Sequence, residues 1–251
     1  MKKGIGSAQL VAICVAAALI GLFLRNAQLD SGSSTALIVF SAAVCVAFAV
    51  WNLTRKQRKK YTDVLFRCLA DLVLTTLGVL VLIAGCAVTA ITASGAERYL
   101  AVFGVLSSLA LLRAMMLRCE KQPVSALYYV PMTLYYVASL FWNFRQWTID
   151  PAILDYCFMM FAVICYMMAA YFAASCCFDR GNRCALGFFS MAGVYFSGVS
   201  MAGGGWEIAL TYGGSALILL AYVWQTSVPK RRRRRRPPVP QPDAETEHKT
   251  D

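Results

Sequence analysis

Eight long apolar blocks follow one another along the chain, over 4–24, 35–53, 66–93, 99–117, 124–142, 152–177, 184–202 and 208–227. A helix rises about 1.5 Å per residue, so roughly 20 residues cross the ~30 Å hydrocarbon layer of a bilayer. Lipid offers backbone groups no hydrogen bonds, so an apolar block of this length must satisfy its own as a helix. Of 251 residues, 59% are hydrophobic and 15% charged, against about half and a quarter in a soluble domain. Almost nothing remains between the blocks to build a water-soluble core. The expectation is an all-α, polytopic integral membrane helix bundle of eight transmembrane helices over 1–229, followed by a tail over 230–251.

The charges test that count independently, because cytoplasmic loops collect Lys and Arg. With the N-terminus inside, only Arg25, Arg98 and Arg145 of the 24 Lys and Arg fall in outside loops. Adding or losing one internal helix breaks this alternation, so both termini are predicted to be cytoplasmic in a plasma (inner) membrane. Residues 1–27 also have the outline of a signal peptide, with Lys2 and Lys3 before an apolar stretch. Their apolar run is long for that role, and a cut after Ala27 places Arg25 where a small residue is wanted. The first block is therefore read as an uncleaved helix. The ten cysteines lie within blocks or at cytoplasmic ends, which leaves no disulfide framework on the oxidising side.

Past the last block, Lys230, Arg231, Arg232, Arg233, Arg234, Arg235 and Arg236 form a run of seven cations. Each cation near an anionic leaflet contributes about 1 kcal/mol, so the run is expected to hold the tail on lipid headgroups. A specific nucleic-acid role is not inferred for a run placed at a membrane boundary. Pro237, Pro238, Pro240 and Pro242 favour extended polyproline II, a shape that a cytoplasmic protein partner can dock. The final residues are polar and bury no core.

One charged row interrupts the third block. Asp63, Arg67 and Asp71 stand four residues apart and share a helix face. Residues 72–93 are apolar and span a bilayer alone, so most of the row can lie in water. If the helix enters lipid near Phe66, however, Asp71 and Arg113 of the fourth block sit at similar depth. An Asp71–Arg113 ion pair is predicted, with Arg67 and Asp63 nearer water. The competing arrangement is an Arg113 that extends alone to the headgroups.

Candidate solute-lining residues come from four blocks. In the fifth, Tyr128 and Tyr135 are seven apart, as are Tyr129 and Tyr136, and Pro131 is expected to bend the helix. In the seventh, Gly187, Ser190, Gly193, Ser197, Ser200 and Gly204 make a smooth stripe that allows close helix approach. Gly213, Gly214, Ser215 and Ala216 offer a matching patch on the eighth. Asp155, at the start of the sixth, is the remaining inward carboxylate. A faint echo relates 93–112 to 202–220, with Glu97 and Glu207 in equivalent places, in the manner of a parallel internal repeat.

No cofactor or metal is called for. Cys157, Met160 and Met167 lie near one helix face, but the single histidine, His248, is in the tail, and a copper site wants more soft ligands. Cys176, Cys177 and Cys184 lack the paired spacing of a zinc site. No catalytic motif is present, and an enzyme is disfavoured. The expected function is movement of a small solute, by a transporter or the membrane subunit of a transport system. The alternative is a membrane sensor or scaffold that recruits a cytoplasmic partner through its basic tail.

Overall fold

The computed structural model describes residues 6–32, 34–55, 64–65, 69–120, 122–147, 153–202 and 204–227. Among them the chain is helical, with no strand. The long helices are α1 Ser7–Ser31, α2 Thr35–Leu53, α3 Leu69–Thr92, α4 Ala96–Cys119, α5 Val130–Trp147, α6 Ile153–Cys176, α7 Arg183–Met201 and α8 Trp206–Ser227. Seven of these eight are long and apolar enough to cross a membrane, as an integral membrane protein requires. The exception is α5, whose Tyr, Trp, Asn and Arg residues dilute its apolar content.

Helix ends follow local chemistry. Gln9 reaches back to the Gly6 N–H at 2.9 Å to open α1. Gly32 closes the same helix in the left-handed region, φ 72°, where a Cβ is costly. Asn182 opens α7 by accepting from the N–H groups of Cys184 and Ala185, both at 3.1 Å. Pro131 corrects the bend expected of the fifth block. It lies in the first turn of α5, after a short 3-10 turn over Ala126–Tyr128. A proline there lacks only an N–H that has no helical partner, so the helix begins at it rather than bending around it. Tyr128 and Tyr135 thus do not share one continuous helix.

Packing centres on α7, with 78% of its apolar span buried against 22% for each of α1 and α2. The most extensive helix contact joins α3 to α8. Glycines bring those two backbones together: a Cβ on Gly214 would meet the Leu82 nitrogen at 2.5 Å, and one on Gly78 would meet the Gly214 oxygen at 2.8 Å. Gly214 therefore faces α3, not the small stripe of α7 that the sequence pairs it with. The stripe itself is filled. Gly187 sits on Asn52 and Thr226, and Gly193 on Leu219 and Cys165. A repeat of spans 1–4 in 5–8 requires α7 to pack on α4 as α3 packs on α8. Instead α7 packs on α6, α8, α1 and α2.

Candidate functional site

One end of the bundle holds a cavity of about 350 Å3, here called the vestibule. It is formed where α3 and α5 end and α4, α6 and α8 begin. On α5, Tyr135, Ser139 and Trp142 recur at helical spacing and turn one polar, aromatic edge into it. This edge contributes to α5's falling short of the apolar content of a membrane span. Glu97 and Glu207 enter from the first turns of α4 and α8, where the helix dipole favours a carboxylate. The Trp142 indole donates to Glu97 Oε1 at 3.2 Å.

Beyond the vestibule lies a smaller chamber of about 80 Å3 that shares Tyr135, Ser139, Asn143, Thr211 and Tyr212 with it. Its inner wall is a chain of tyrosine rings. Tyr135 and Tyr136 have centroids 5.2 Å apart, Tyr136 and Tyr166 5.1 Å, and Tyr166 and Tyr212 6.0 Å. Their hydroxyls are tethered to neighbouring helices. The Ser215 hydroxyl gives its proton to the Thr211 carbonyl at 2.9 Å, so it accepts from Tyr136 at 2.9 Å. Ser197 likewise donates to the Gly193 carbonyl and meets the Tyr166 hydroxyl at 2.5 Å. Tyr135 lies 3.6 Å from the Cys86 sulfur. Tyr212 differs: it is 8% exposed and lines both chambers, and its hydroxyl has no partner among the described residues.

The opposite end, here the latch end, is closed by arginines. Arg118, in the last turn of α4, pairs with Asp71, in the first turn of α3, at 2.9 Å. Its other terminal nitrogen donates to the Tyr129 hydroxyl at 2.5 Å, and Thr75 donates to the Asp71 carboxylate at 3.4 Å. Both charges are buried, 6% and 1% exposed. Nearby, Arg183 of α7 donates through Nε to the Thr226 carbonyl at 2.7 Å and through a second nitrogen to the same oxygen. Arg55 reaches the Thr226 and Ser227 carbonyls at 3.4 Å and lies over the Trp51 ring. These carbonyls end α8 and lack helical donors, and cations at a helix C-terminus also meet its dipole favourably.

This geometry corrects the expected Asp71–Arg113 pair. Arg113 and Arg118 are five residues apart on α4, which turns them roughly 140° from one another. Arg118 faces α3, and Arg113 is exposed. Asp63 and Arg67 lie outside the described residues, as do the side chain of Asp155 and the whole of 228–251, including Lys230–Arg236. Of the expected solute-lining residues whose side chains are described, only Tyr135 lines the vestibule. Ser197 acts one step back, holding Tyr166. Ser190 bonds the Leu186 carbonyl within its own helix, Gly193 is a packing contact, and Tyr128 lies at the latch end with the 3-10 turn.

Sequence reading missed Glu97, Trp142, Asn143, Tyr156, Glu207 and Tyr212 as cavity residues. The echo between 93–112 and 202–220 did carry a signal. It aligned Glu97 with Glu207, and these two carboxylates share the vestibule. A second cavity of about 520 Å3, between α2, α6 and α7, is lined by phenylalanines with Cys45, Cys157 and Cys165. It holds little polar chemistry to orient a ligand. Among the described residues no three His, Cys, Asp or Glu side chains meet to hold a metal ion.

No protein-family model matches the chain, and no curated protein or solved structure is significantly similar to it.

Proposed function

We propose that the protein resides in the plasma (inner) membrane and moves a small solute, alone or as the membrane subunit of a transport system. One observation carries this reading: a polar, aromatic vestibule leads through shared walls to a tyrosine-lined chamber inside an otherwise apolar bundle. Ligand sites are concave, with a few convergent polar groups on an apolar ground. A bundle that serves only as a scaffold has no use for such a lining.

In this reading α5 is the eighth span. Its polar face is tolerated because it borders the chamber rather than lipid. Both termini are cytoplasmic by the distribution of Lys and Arg. The vestibule then opens outward and the arginine latch closes the cytoplasmic end. The basic run at Lys230–Arg236 rests on lipid headgroups.

Ser215→Cys tests this. A membrane-impermeant thiol reagent should label it from outside in intact cells and from inside in inverted vesicles, because transport requires access from each side in turn. Labelling from one side only overturns transport. Deleting 230–251 should leave this two-sided labelling intact. Loss of two-sided labelling while the protein stays inserted would favour a tail-centred recruiting function instead.

A further inference from the structure

The vestibule has a charge pattern at odds with the rest of the molecule. The chain carries a formal net charge of +11, yet among the described residues the side chains lining this cavity include two carboxylates and no Lys, Arg or His. The cations nearest in sequence, Arg98 beside Glu97 and Arg145 in the last turn of α5, are exposed and do not line it. A concave site of one sign concentrates counter-charged solutes and repels the other sign. The two carboxylates disfavour an anion here.

The lining also specifies the kind of cation. Tyr135, Trp142, Tyr156 and Tyr212 surround the space with aromatic groups. Ring faces attract ammonium groups, tryptophan most strongly. A cavity of about 350 Å3 is near the small end of ligand sites and far larger than a bare metal ion. Asn143 and Tyr212, which line both the vestibule and the inner chamber, can orient a polar group on the guest.

Resting on the solute-site reading above, we infer that the vestibule is a binding site for a small organic cation, an alkylamine or quaternary ammonium compound. Glu97 and Glu207 supply the counter-charge. Trp142 and the tyrosines supply the apolar and π surface, and Trp142 also holds Glu97 in place.

Differential thiol labelling tests this in the full chain. Cysteine is introduced at Ser139 and, separately, at Thr89, two lining positions on different helices. Right-side-out and inverted vesicles are treated with methanethiosulfonates bearing a trimethylammonium, a sulfonate or no charge. Labelling of the unsubstituted chain is subtracted, and rates are normalised to those with 2-mercaptoethanol.

The cationic reagent should label about tenfold faster than the sulfonate. Glu97→Gln with Glu207→Gln should collapse that preference. Tetramethylammonium chloride should slow labelling where equimolar sodium chloride does not. If the neutral reagent labels both positions and the sulfonate matches the cation, cation binding is overturned while the solute site survives. If no reagent labels either position from either side, the cavity is closed to water and both readings fall. Should one variant fail to insert, the other decides.

Discussion

At the latch end, arginine guanidiniums face protein oxygen: Arg118 meets Asp71 and Tyr129, and Arg183 and Arg55 meet the last carbonyls of α8. At the vestibule end, Glu97 and Glu207 border a cavity together with aromatic rings. Both ends place charge at helix termini: Asp71, Glu97 and Glu207 lie in first turns, and the guanidiniums of Arg183 and Arg55 meet the C-terminal carbonyls of α8, as the dipole favours. They differ in what the charge is for. A buried pair whose partners are protein atoms stabilises one arrangement of helices. A charge that borders open volume also acts on whatever enters that volume.

Mutations should therefore separate the ends, stability responding at one and solute access at the other. The largest effect is expected at Arg118. Arg118→Leu strands Asp71 as an uncompensated buried charge and should lower stability by about 4 kcal/mol, read as the unfolding midpoint in detergent. Adding Asp71→Asn should recover part of that loss. Arg113→Ala should have almost no effect, and a loss matching that of Arg118→Leu would restore the pairing expected from sequence.

Next comes the α3–α8 seam that connects the two ends. Gly214→Ala drives a methyl into the Leu82 and Gly78 backbones and should cost about 2 kcal/mol, again as a lowered midpoint. A neutral result there means the helices separate easily. Smaller still is Tyr166→Phe, which removes the bond to Ser197 and should cost about 1 kcal/mol. The same variant should raise the labelling rate of Ser215→Cys if the tyrosine wall gates the inner chamber.

The smallest stability change is expected for Glu207→Gln, within about 0.5 kcal/mol, because no described side chain depends on that carboxylate. Its effect should appear in the charge preference of thiol labelling. A stability loss as large as that of Tyr166→Phe would make the vestibule structural and erase the contrast between the ends.

The helices themselves were legible in advance. The second apolar block and α2 share the bounds 35–53, and the sixth, 152–177, differs from Ile153–Cys176 by one residue at each end. Two blocks moved substantially: the first, 4–24, runs on to Ser31, where Gly32 closes it, and the fifth shifted from 124–142 to Val130–Trp147, because Pro131 serves better as a helix start than as a mid-helix bend. Partner choice was not legible. Depth alone matched Asp71 with Arg113, and the rotation of α4 about its axis selected Arg118 instead. The seventh block's stripe was read correctly as small, but smallness is shared by packing seams and solute paths, and here it is a seam.

Composition and periodicity alone determined that this chain forms long apolar helices, since an unbroken apolar run of this length satisfies its backbone in hydrocarbon as a helix, whereas barrel strands are shorter and alternate. The tertiary structure decided which side chains face one another. That depends on helix rotation and crossing, which are set by whole-surface fit at positions such as Gly78 and Gly214 rather than by any local run of residues. Glu97 and Glu207 are separated by 109 intervening residues, and a shared cavity between them exists only once α4 and α8 have packed against α3.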